Sequence, residues 1–496
     1  MAPAVTNDYI FDTQRTQAIR TLAPHFEHRL FLTATPHNGY YLSFSSLLEL
    51  LDDQRFARGI PLDQERLSTV LVRRLKDDIV DWKGDRKFPE RLLDVIEVDY
   101  SDGEREIHAV LVAYTKSRQE AIRERGDTHA TEFVLKLLKK RLFSSPAAFA
   151  TTLEKHRSRL AGKGSPERKL KPQILKRALE KVEEDYADDQ LFEESLEEAV
   201  DTATENLAKL TPNETKLLDQ MTEWAKNNRQ RADSKAKALL EWLNERLRDG
   251  DGWTQKRVLI FTEYRATQNW LVEILTANGY SGDRLMTMYG GMDEDKREKI
   301  KAAFQADPDE SDVRILVATD AASEGIDLQN HCDLMVHMEV PWNPNRLEQR
   351  IGRIDRHGQK SKQVQIFHFV GKGYEARAKK GAKPGDLEGD LEFLMRAATK
   401  VNSIREDLGR VGPVIASQVE EAMLGKRNDL NTDTAEKEAD AVRKVLRIER
   451  DIRTRIEKLH ERVDESRKYL QLTPDNVRRV VEVGLELAGQ PALQTR

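Results

Sequence analysis

Five short apolar runs between residues 233 and 372 constrain the fold of this 496-residue chain more than any other feature. Helical stretches of crossover length separate the runs, and parallel strands require such connections. The alternation predicts an α/β domain with a doubly wound parallel sheet, in which ligands bind at the carboxyl ends of the strands. The predicted strands are Val258–Phe261, Leu285–Tyr289, Ile315–Ala318, Leu334–Met338 and Val364–Val370.

Polar and glycine residues follow these predicted strands, at the ends where we expect a ligand. Thr262 follows the first strand, Gly290 the second and Thr319 the third. Each position either contacts a ligand or belongs to an ordinary connecting loop. Tyr264 and Trp342 lie at the same ends, where aromatic rings stack on bases or pack in the core.

A segment rich in arginine and glycine follows the fourth predicted strand. Read as a helix, it places Gln349, Arg353 and Arg356 on one face. A glycine inside a helix costs about 1 kcal/mol relative to alanine, so Gly352 and Gly358 predict a close approach of backbone or ligand. The planar fork of arginine can bind two phosphoryl oxygens at once. The segment therefore predicts a phosphoryl-binding face, and a solvated basic surface is the alternative.

The pattern Q-R-x-G-R-x-x-R-x-G-Q at residues 349–359 resembles the last signature motif of superfamily II helicases. Its final Gly358-Gln359 resembles the Swi/Snf-type branch of that family. The resemblance implies a RecA-like lobe in which Arg353 and Arg356 act as arginine fingers on the γ-phosphate of ATP. The sequence between these arginines is more similar to bacterial polymerase-recycling or phage-defence helicases than to chromatin remodellers.

Other stretches resemble further motifs of the same family in the family's order. Residues 33–36 resemble motif III, residues 258–264 motif IV and residues 318–328 motif V. The resemblance implies that ATP also contacts Gly325, Asp327 and Gln349, with Asp327 on the ribose. The implied nucleic-acid contacts are Thr33, Thr35, Thr262, Gly290 and Thr319, with double-stranded DNA the favoured partner.

Half of an ATP site is missing from the printed sequence. It contains no G-x-x-x-x-G-K-[ST] loop to hold phosphates and no acidic motif to hold Mg²⁺. We therefore expect ATP and Mg²⁺ to bind only with a first RecA-like lobe or other subunits of a complex, and the isolated chain to be inactive. A non-catalytic nucleic-acid-binding subunit and a helical protein-interaction scaffold are the alternative functions.

The pattern divides the chain into four regions. They are a remnant of the first lobe (1–52), a mainly helical region (53–232), the second lobe (233–372) and a charged helical region (373–496). We expect a short buried strand from Arg29 in the first region, and in the second a surface helix at 71–80 and a strand at 94–100. In the last region, valine, isoleucine and leucine between 445 and 463 predict one apolar helical stripe.

Composition sets limits on partners and compartment. The net charge of −5 gives no overall basic signal, so nucleic acid must bind a local patch, for which we considered Lys139, Lys140 and Arg141. The acidic run around Glu193 predicts a solvated surface. A single cysteine, Cys332, excludes a disulfide framework and a cysteine metal site, and we predict no metal ligands in this chain. No apolar run reaches the roughly 20 residues of a membrane helix, so the cytoplasm is the expected compartment.

Overall fold

The structure of the chain is a computed structural model. It describes all residues except 1–3, 7–8, 12–13, 33–40, 61–63, 72–75, 77–78, 80–85, 124–127, 162–187, 206–209, 251, 324–325, 379–382, 405–407, 434–473 and 492–496. The described strands are β1 (Ala4–Thr6), β2 (Tyr9–Phe11), β3 (Glu90–Val98), β4 (Arg248–Asp249), β5 (Gly252–Trp253), β6 (Val258–Thr262), β7 (Leu285–Met288), β8 (Ile315–Thr319), β9 (Leu334–His337) and β10 (Gln363–Gly371).

Six of the described strands form one sheet in the order β3-β10-β9-β6-β8-β7. Every pairing in this sheet is parallel, and Val258 of β6 lies opposite Ile315 of β8 and Leu334 of β9. All residues of β6 and β8 are buried, because helices cover both faces of a parallel sheet. The predicted parallel α/β sheet and its five apolar strands are confirmed.

Strand β3 adds an edge to this sheet from a distant part of the chain. All nine of its residues pair with β10, from Glu90 opposite Gln363 to Val98 opposite Gly371. The strand lies within the region that the sequence assigned to helices, at the position where alternation predicted an extended segment. The lobe therefore includes residues that precede it by more than a hundred positions.

Sixteen α-helices lie among the described residues. They are α1 (Gln14–Leu22), α2 (Tyr41–Leu51), α3 (Gln64–Val70), α4 (Asp102–Arg123), α5 (Thr128–Ser144), α6 (Pro146–Ala161), α7 (Asp189–Glu205), α8 (Pro212–Asn228), α9 (Ser234–Leu247), α10 (Arg265–Ala277), α11 (Glu294–Gln305), α12 (Pro344–Ile351), α13 (Tyr374–Ala378), α14 (Leu387–Ser403), α15 (Leu408–Met423) and α16 (Pro474–Leu487). The Asp233 carboxylate caps helix α9 by accepting from the Ala236 amide at 2.7 Å.

Helices α4, α5, α6 and α8 form a second core beside the lobe. Its centre holds Leu111, Tyr114, Leu138, Phe149 and Met221, all at most 1% exposed. The Thr211 hydroxyl and the Glu214 side chain start α8 with reciprocal hydrogen bonds, which satisfy two otherwise unpaired amides. This helical body carries α7 to the edge of the sheet, where the candidate site lies.

The N-terminal region differs from its prediction. Residues 26–32 form no strand, and the side chains of Leu30 and Leu32 are 82% and 87% exposed. The expected buried strand is therefore wrong for these residues, because no described strand lies beside them to accept their hydrogen bonds. Most of the expected helix at 71–80 falls outside the described residues.

The last described helix of the C-terminal region, α16, begins at Pro474. The expected apolar stripe between 445 and 463 falls outside the described residues. The Cys332 thiol is buried, and burial raises its pKa to about 12. None of the described helices is long and apolar enough to cross a bilayer.

Candidate functional site

Helix α12 begins near the carboxyl edge of the sheet, after β9, and the arginine-rich segment continues from it toward the amino end of β10. The Asn343 side chain caps the helix by accepting from the Asn345 amide at 2.9 Å, and Pro344 occupies the first turn. The helix ends at Ile351, so the prediction that it continues through Arg356 is wrong. The amides of Arg353 and Ile354 bond to carbonyls three residues back instead, at 3.0 and 3.1 Å. The two candidate finger arginines therefore lie on tight turns.

Both candidate fingers point to the same loop. The Nη1 atoms of Arg353 and Arg356 lie 3.5 and 3.3 Å from the Ile326 carbonyl oxygen. Arg356 also forms an ion pair with Asp327, and these two side chains are 38% and 53% exposed. The structure thus brings together three of the predicted nucleotide-site residues. The charged groups of Arg356 and Asp327 remain accessible to a ligand.

Arg350 has a different environment although it belongs to the same motif. Its side chain is 1% exposed, and its Nη2 donates to Asp320 Oδ2 at 2.8 Å. Its Nη1 donates to the Glu339 carbonyl oxygen at 3.1 Å. A buried charge needs such partners to offset the loss of water. Arg350 therefore fastens α12 to the ends of β8 and β9, which sets the position from which the chain reaches Arg353.

The two glycines of the segment have different roles. Gly358 has a φ of +90°, in the left-handed region that side chains other than glycine rarely adopt. Gly352 caps the helix with a φ of −60°, and a Cβ there would lie 3.1 Å from the Glu348 carbonyl oxygen. The predicted close approach at Gly352 is to the helix backbone. At Gly358 glycine is needed because the backbone adopts a positive φ.

The predicted nucleic-acid contacts Thr262 and Thr319 are fully buried. The Thr262 hydroxyl donates to Glu339 Oε2 at 3.1 Å. The Thr319 hydroxyl and the Gly290 amide both donate to Asp189 Oδ2, each at 2.7 Å. These donors converge on the carboxyl edge of the sheet as the spacing predicted. In this structure, carboxylates of the chain itself accept from them.

The remaining predicted site residues differ in whether the structure describes them and in how far they are exposed. Gln349 is described and exposed on α12. Gly325, Thr33 and Thr35 fall outside the described residues, so their predicted contacts with ATP and nucleic acid remain predictions. Tyr264 and Trp342 are 1% and 5% exposed, so of the two interpretations left open by the sequence, packing in the core is confirmed.

The basic patch at residues 139–141 is not a free surface. Lys139 forms an ion pair with Asp390 at 2.6 Å and donates to the Met423 carbonyl oxygen at 2.8 Å. Arg141 donates to both carboxylate oxygens of Glu193, and its guanidinium lies 3.8 Å from the centroid of the Tyr264 ring. Phosphate contacts by Lys139 and Arg141 were the wrong prediction, because the helical body packs over both charges.

Lys140 is also engaged at this surface. Its Nζ lies 3.7 Å from Glu263 and 5.3 Å from the centroid of the Trp342 ring. Burial raises the pKa of Glu263, but Lys140 and the neighbouring arginines outweigh burial and hold it below its usual value. The carboxylate is thus kept charged beneath the lysine. The positive charges of Lys139, Lys140 and Arg141 are thus paired with carboxylates of the protein itself.

Sequence reasoning missed Asp189, Arg91 and Asp355. Asp189 lies in the acidic stretch that was interpreted as solvated, and its partners are more than a hundred residues away. Arg91 precedes the alternating run that predicted β3, and Asp355 was counted only as a spacer between two arginines. No periodicity or spacing identifies these three residues, because their partners come from other segments.

Residues 235–358 match the family profile described as "Helicase conserved C-terminal domain". This part of the chain is a helicase C-terminal domain. The matched range contains β6 to β9, α12 and both candidate fingers. The RecA-like fold expected from the motifs is confirmed for the lobe.

Curated relatives resemble the same part of the chain. The uncharacterized ATP-dependent helicase YqhH of Bacillus subtilis is 43% identical over 116 residues, which are 23% of this chain and 19% of that protein. The ATP-dependent RNA helicase eIF4A of Pyricularia oryzae is 32% identical over 121 residues, 24% of this chain and 28% of that protein. The chain thus spans between a fifth and a third of the length of these relatives.

The solved structures to which this chain is similar include the C-terminal part of the Fun30 ATPase domain. It shares 16% identity with this chain at a TM-score of 0.33, covering 64% of this chain and 99% of that one. The Saccharomyces cerevisiae protein Dbp5 bound to RNA and ADP BeF3 shares 18% identity at a TM-score of 0.24, covering 43% of this chain and 42% of that one.

Proposed function

We propose that the chain supplies the second RecA-like lobe of an ATP-dependent nucleic-acid translocase of the bacterial Swi/Snf type. Arg353 and Arg356 act as arginine fingers on the γ-phosphate of ATP. The observation that carries this proposal is the convergence of both guanidinium groups on the Ile326–Asp327 loop. This loop connects the carboxyl end of β8 to the amino end of β9, and the Leu328 amide bonds to the Arg353 carbonyl oxygen.

The difference in exposure between the arginines supports their separate roles. Arg350 is buried and held by Asp320, whereas Arg356 is 38% exposed and pairs with a half-exposed carboxylate. An exposed ion pair contributes little to stability, so Arg356 can exchange Asp327 for a phosphate at small cost. A guanidinium that is positioned but replaceable suits electrostatic stabilisation of the charge that develops during phosphoryl transfer.

The other half of the ATP site comes from a first RecA-like lobe, which supplies the phosphate loop and the Mg²⁺ ligands. ATP then binds between the lobes, with Asp327 on its ribose and Gly325 and Gln349 beside it. Mg²⁺ neutralises charge on the phosphates when it is bound. The relatives whose names include "ATP-dependent helicase" support this assignment.

Nucleic acid binds at the ends of β6, β7 and β8 through backbone phosphates. Thr262, Gly290 and Thr319 supply hydroxyl and amide donors there, and Thr33 and Thr35 contribute from the N-terminal region. Donors of this kind contact phosphates and carry no base specificity. We propose double-stranded DNA as the track.

A reconstituted ATPase tests the proposal. The chain alone is expected to release no phosphate from ATP, because it lacks the groups that position phosphates and Mg²⁺. Addition of a Swi/Snf-type first lobe, in trans or by fusion, is expected to create activity stimulated by DNA. Arg353→Ala should abolish that activity, whereas Arg284→Ala should not, since Arg284 pairs with Asp312 before β7 and does not belong to the finger segment.

Each negative result has a distinct meaning. Activity of the isolated chain that Arg353→Ala removes would show that the site is complete without a first lobe. Normal turnover of the reconstituted Arg353→Ala and Arg356→Ala variants would show that the basic segment is only a solvated surface. DNA binding without any reconstituted turnover would favour the non-catalytic binding subunit. Stimulation by RNA and not by DNA would correct the proposed track.

A further inference from the structure

Helix α7 (Asp189–Glu205) lies across the proposed nucleic-acid face of the lobe. Its first part is acidic, with carboxylates at 189, 193, 194 and 198, and Asp188 precedes it. Asp188 caps the helix by accepting from the Gln190 amide at 2.7 Å. The beginning of the helix is therefore an ordered acidic surface placed against the ends of β7 and β8.

The hydrogen-bond donors that surround the Asp189 carboxylate are of the kind that bind a phosphate. Its Oδ2 accepts from the Gly290 amide and from the Thr319 hydroxyl, both at 2.7 Å. Both donors come from strand ends of the lobe, 101 and 130 residues away in the chain. One backbone N–H and one hydroxyl that converge on a single anionic oxygen are the donors that proteins commonly offer to a nucleic-acid phosphate.

Asp188 approaches the lobe backbone beside Asp189. A Cβ at Gly291 would lie 2.6 Å from Asp188 Oδ2, and Gly291 has a φ of +79°. Only a glycine there leaves room for the carboxylate. The Gly290-Gly291 turn thus receives two neighbouring carboxylates of α7.

A second anchor fixes the helix one turn further along. Glu193 accepts from Arg141 Nη2 at 2.9 and 3.1 Å. Phe192 is 7% exposed, and its ring centroid lies 5.9 Å from the guanidinium carbon of Arg346. The helix is held at several points along the same edge that the proposed nucleic-acid contacts occupy.

The contact at Asp189 is costly for a carboxylate. Asp189 is 5% exposed, and among the described residues no cation forms an ion pair with it. Burial raises its pKa by more than the Thr319 and Gly290 hydrogen bonds lower it. A backbone phosphate also carries one negative charge on two oxygens, but it stays in contact with solvent along the duplex. It can therefore replace the carboxylate at this pair of donors.

We propose that α7 is an autoinhibitory segment, which fills the phosphate site of the lobe with the Asp189 carboxylate until nucleic acid displaces it. The inference rests on the proposed function, because it takes Gly290 and Thr319 as contacts to a nucleic-acid backbone. Displacement of α7 then precedes tight binding. Its acidic sequence makes the helix a competitor for the same donors.

Equilibrium binding of the full chain to a labelled DNA duplex tests the inference. Asp189→Ala should tighten binding about tenfold, since a hydrogen-bonded carboxylate no longer competes for the two donors. Glu194→Ala is the matched control, because Glu194 is exposed on the same helix and the change in net charge is identical. It should change the dissociation constant less than about twofold.

A second variant tests whether release of α7 tightens DNA binding when the contacts to Gly290 and Thr319 are left intact. Glu193→Gln weakens the anchor to Arg141 and leaves Gly290 and Thr319 untouched. It should tighten DNA binding in the same direction as Asp189→Ala, by a smaller factor. Amide hydrogen exchange of α7 in the wild-type chain should accelerate when DNA is added. Circular dichroism confirms that each variant is folded.

The outcomes distinguish this inference from the proposed function. If Asp189→Ala, Glu193→Gln and Glu194→Ala all bind DNA with the dissociation constant of the wild type, the autoinhibitory role alone is overturned. Exchange of α7 that stays slow at saturating DNA would do the same. Failure of every folded variant to bind DNA, including Asp189→Ala, would overturn both, because the opened donors would then have no nucleic-acid ligand.

Discussion

Arg91 on edge strand β3 and Asp355 between the two candidate fingers form a buried ion pair. Arg91 Nε donates to Asp355 Oδ2 at 3.0 Å, and both side chains are 1% exposed. Arg91 also pairs with Glu348, and Lys76 lies 3.1 Å from Asp355. Burial raises the pKa of Asp355, but Arg91 and Lys76 outweigh burial and lower it. The position of the finger segment therefore depends on a strand far away in sequence.

Breaking this pair should destabilise the lobe strongly. We expect Arg91→Met to lower the free energy of unfolding by about 3–5 kcal/mol, because it leaves the buried Asp355 carboxylate without its main partner. Urea denaturation monitored by tryptophan fluorescence measures the change. Arg105→Ala is the control, since Arg105 is 41% exposed and its ion pairs are worth at most about 1 kcal/mol.

The double variant Arg91→Met, Asp355→Leu should be more stable than Arg91→Met alone. Removal of both charges leaves Glu348 and Lys76 without these partners, but their side chains are 22% and 40% exposed, and apolar side chains of similar volume can fill the buried space. If the effects of the two substitutions on the free energy of unfolding simply add, the ion pair does not couple β3 to the finger segment.

Lysine should not replace the finger arginines. In the reconstituted ATPase, Arg356→Lys is expected to lower kcat by about 10³–10⁵, the factor by which arginine fingers accelerate phosphoryl transfer. The ammonium group keeps the charge but lacks the planar fork that binds two oxygens. Steady-state phosphate release at saturating DNA measures the loss. A kcat within a few fold of wild type would remove Arg356 from the chemical step.

Asp327 should affect binding of ATP more than turnover. A ribose contact is the same in the ground state and the transition state, so Asp327→Ala is expected to raise KM for ATP and leave kcat nearly unchanged. Loss of Asp327 also frees Arg356 from its ion pair. Titration of ATP in the reconstituted assay separates the two parameters. A fall in kcat at unchanged KM would place Asp327 in the chemistry instead.

Two buried histidines should make the lobe sensitive to acid. His337 Nδ1 and His368 Nε2 lie 2.9 Å apart, and both side chains are at most 1% exposed. Burial lowers the pKa of His368 to about 3 and that of His337 well below its usual value. Between about pH 6.5 and 3 only the unfolded state binds the proton, so stability is complete above this window and falls as the pH falls through it.

The slope of this loss identifies its source. Each histidine should contribute about 1.4 kcal/mol per pH unit below 6.5. Urea denaturation at several pH values should therefore show a shallower slope for His368→Gln than for the wild type. His25→Gln is the control at an exposed position. Parallel curves for His368→Gln and the wild type would show that the pair titrates in the folded lobe as well.

Binding to nucleic acid should depend only weakly on salt and little on base sequence. The contacts proposed at Thr262, Gly290 and Thr319 reach phosphates through neutral donors, whereas a slope of about −0.9 per phosphate in log K against log salt arises where lysine or arginine neutralises the phosphate. Fluorescence anisotropy at several salt concentrations, with two unrelated duplexes, measures both properties. Strong preference for one sequence would contradict phosphate binding at these strand ends.

The sequence by itself determined the parallel sheet and its arginine-rich segment. The runs at β6 and β8 are apolar along their whole length, and such runs are stable only where helices cover both faces. The Asp233 carboxylate bonds to an amide three residues along the chain, and Pro344 favours the start of the helix in which it lies. Signals of this kind are readable because cause and effect lie within a few residues.

The tertiary structure alone decided what surrounds the candidate site. Strand β3 was recognisable as a strand, but pairing with β10 depends on backbone groups that every strand offers equally. The ion pair of Arg91 with Asp355 and the contact of Asp189 with Thr319 likewise join segments distant in sequence. Charge and hydrogen bonding act through space, so an isolated acidic run can look solvated until the fold supplies its donors.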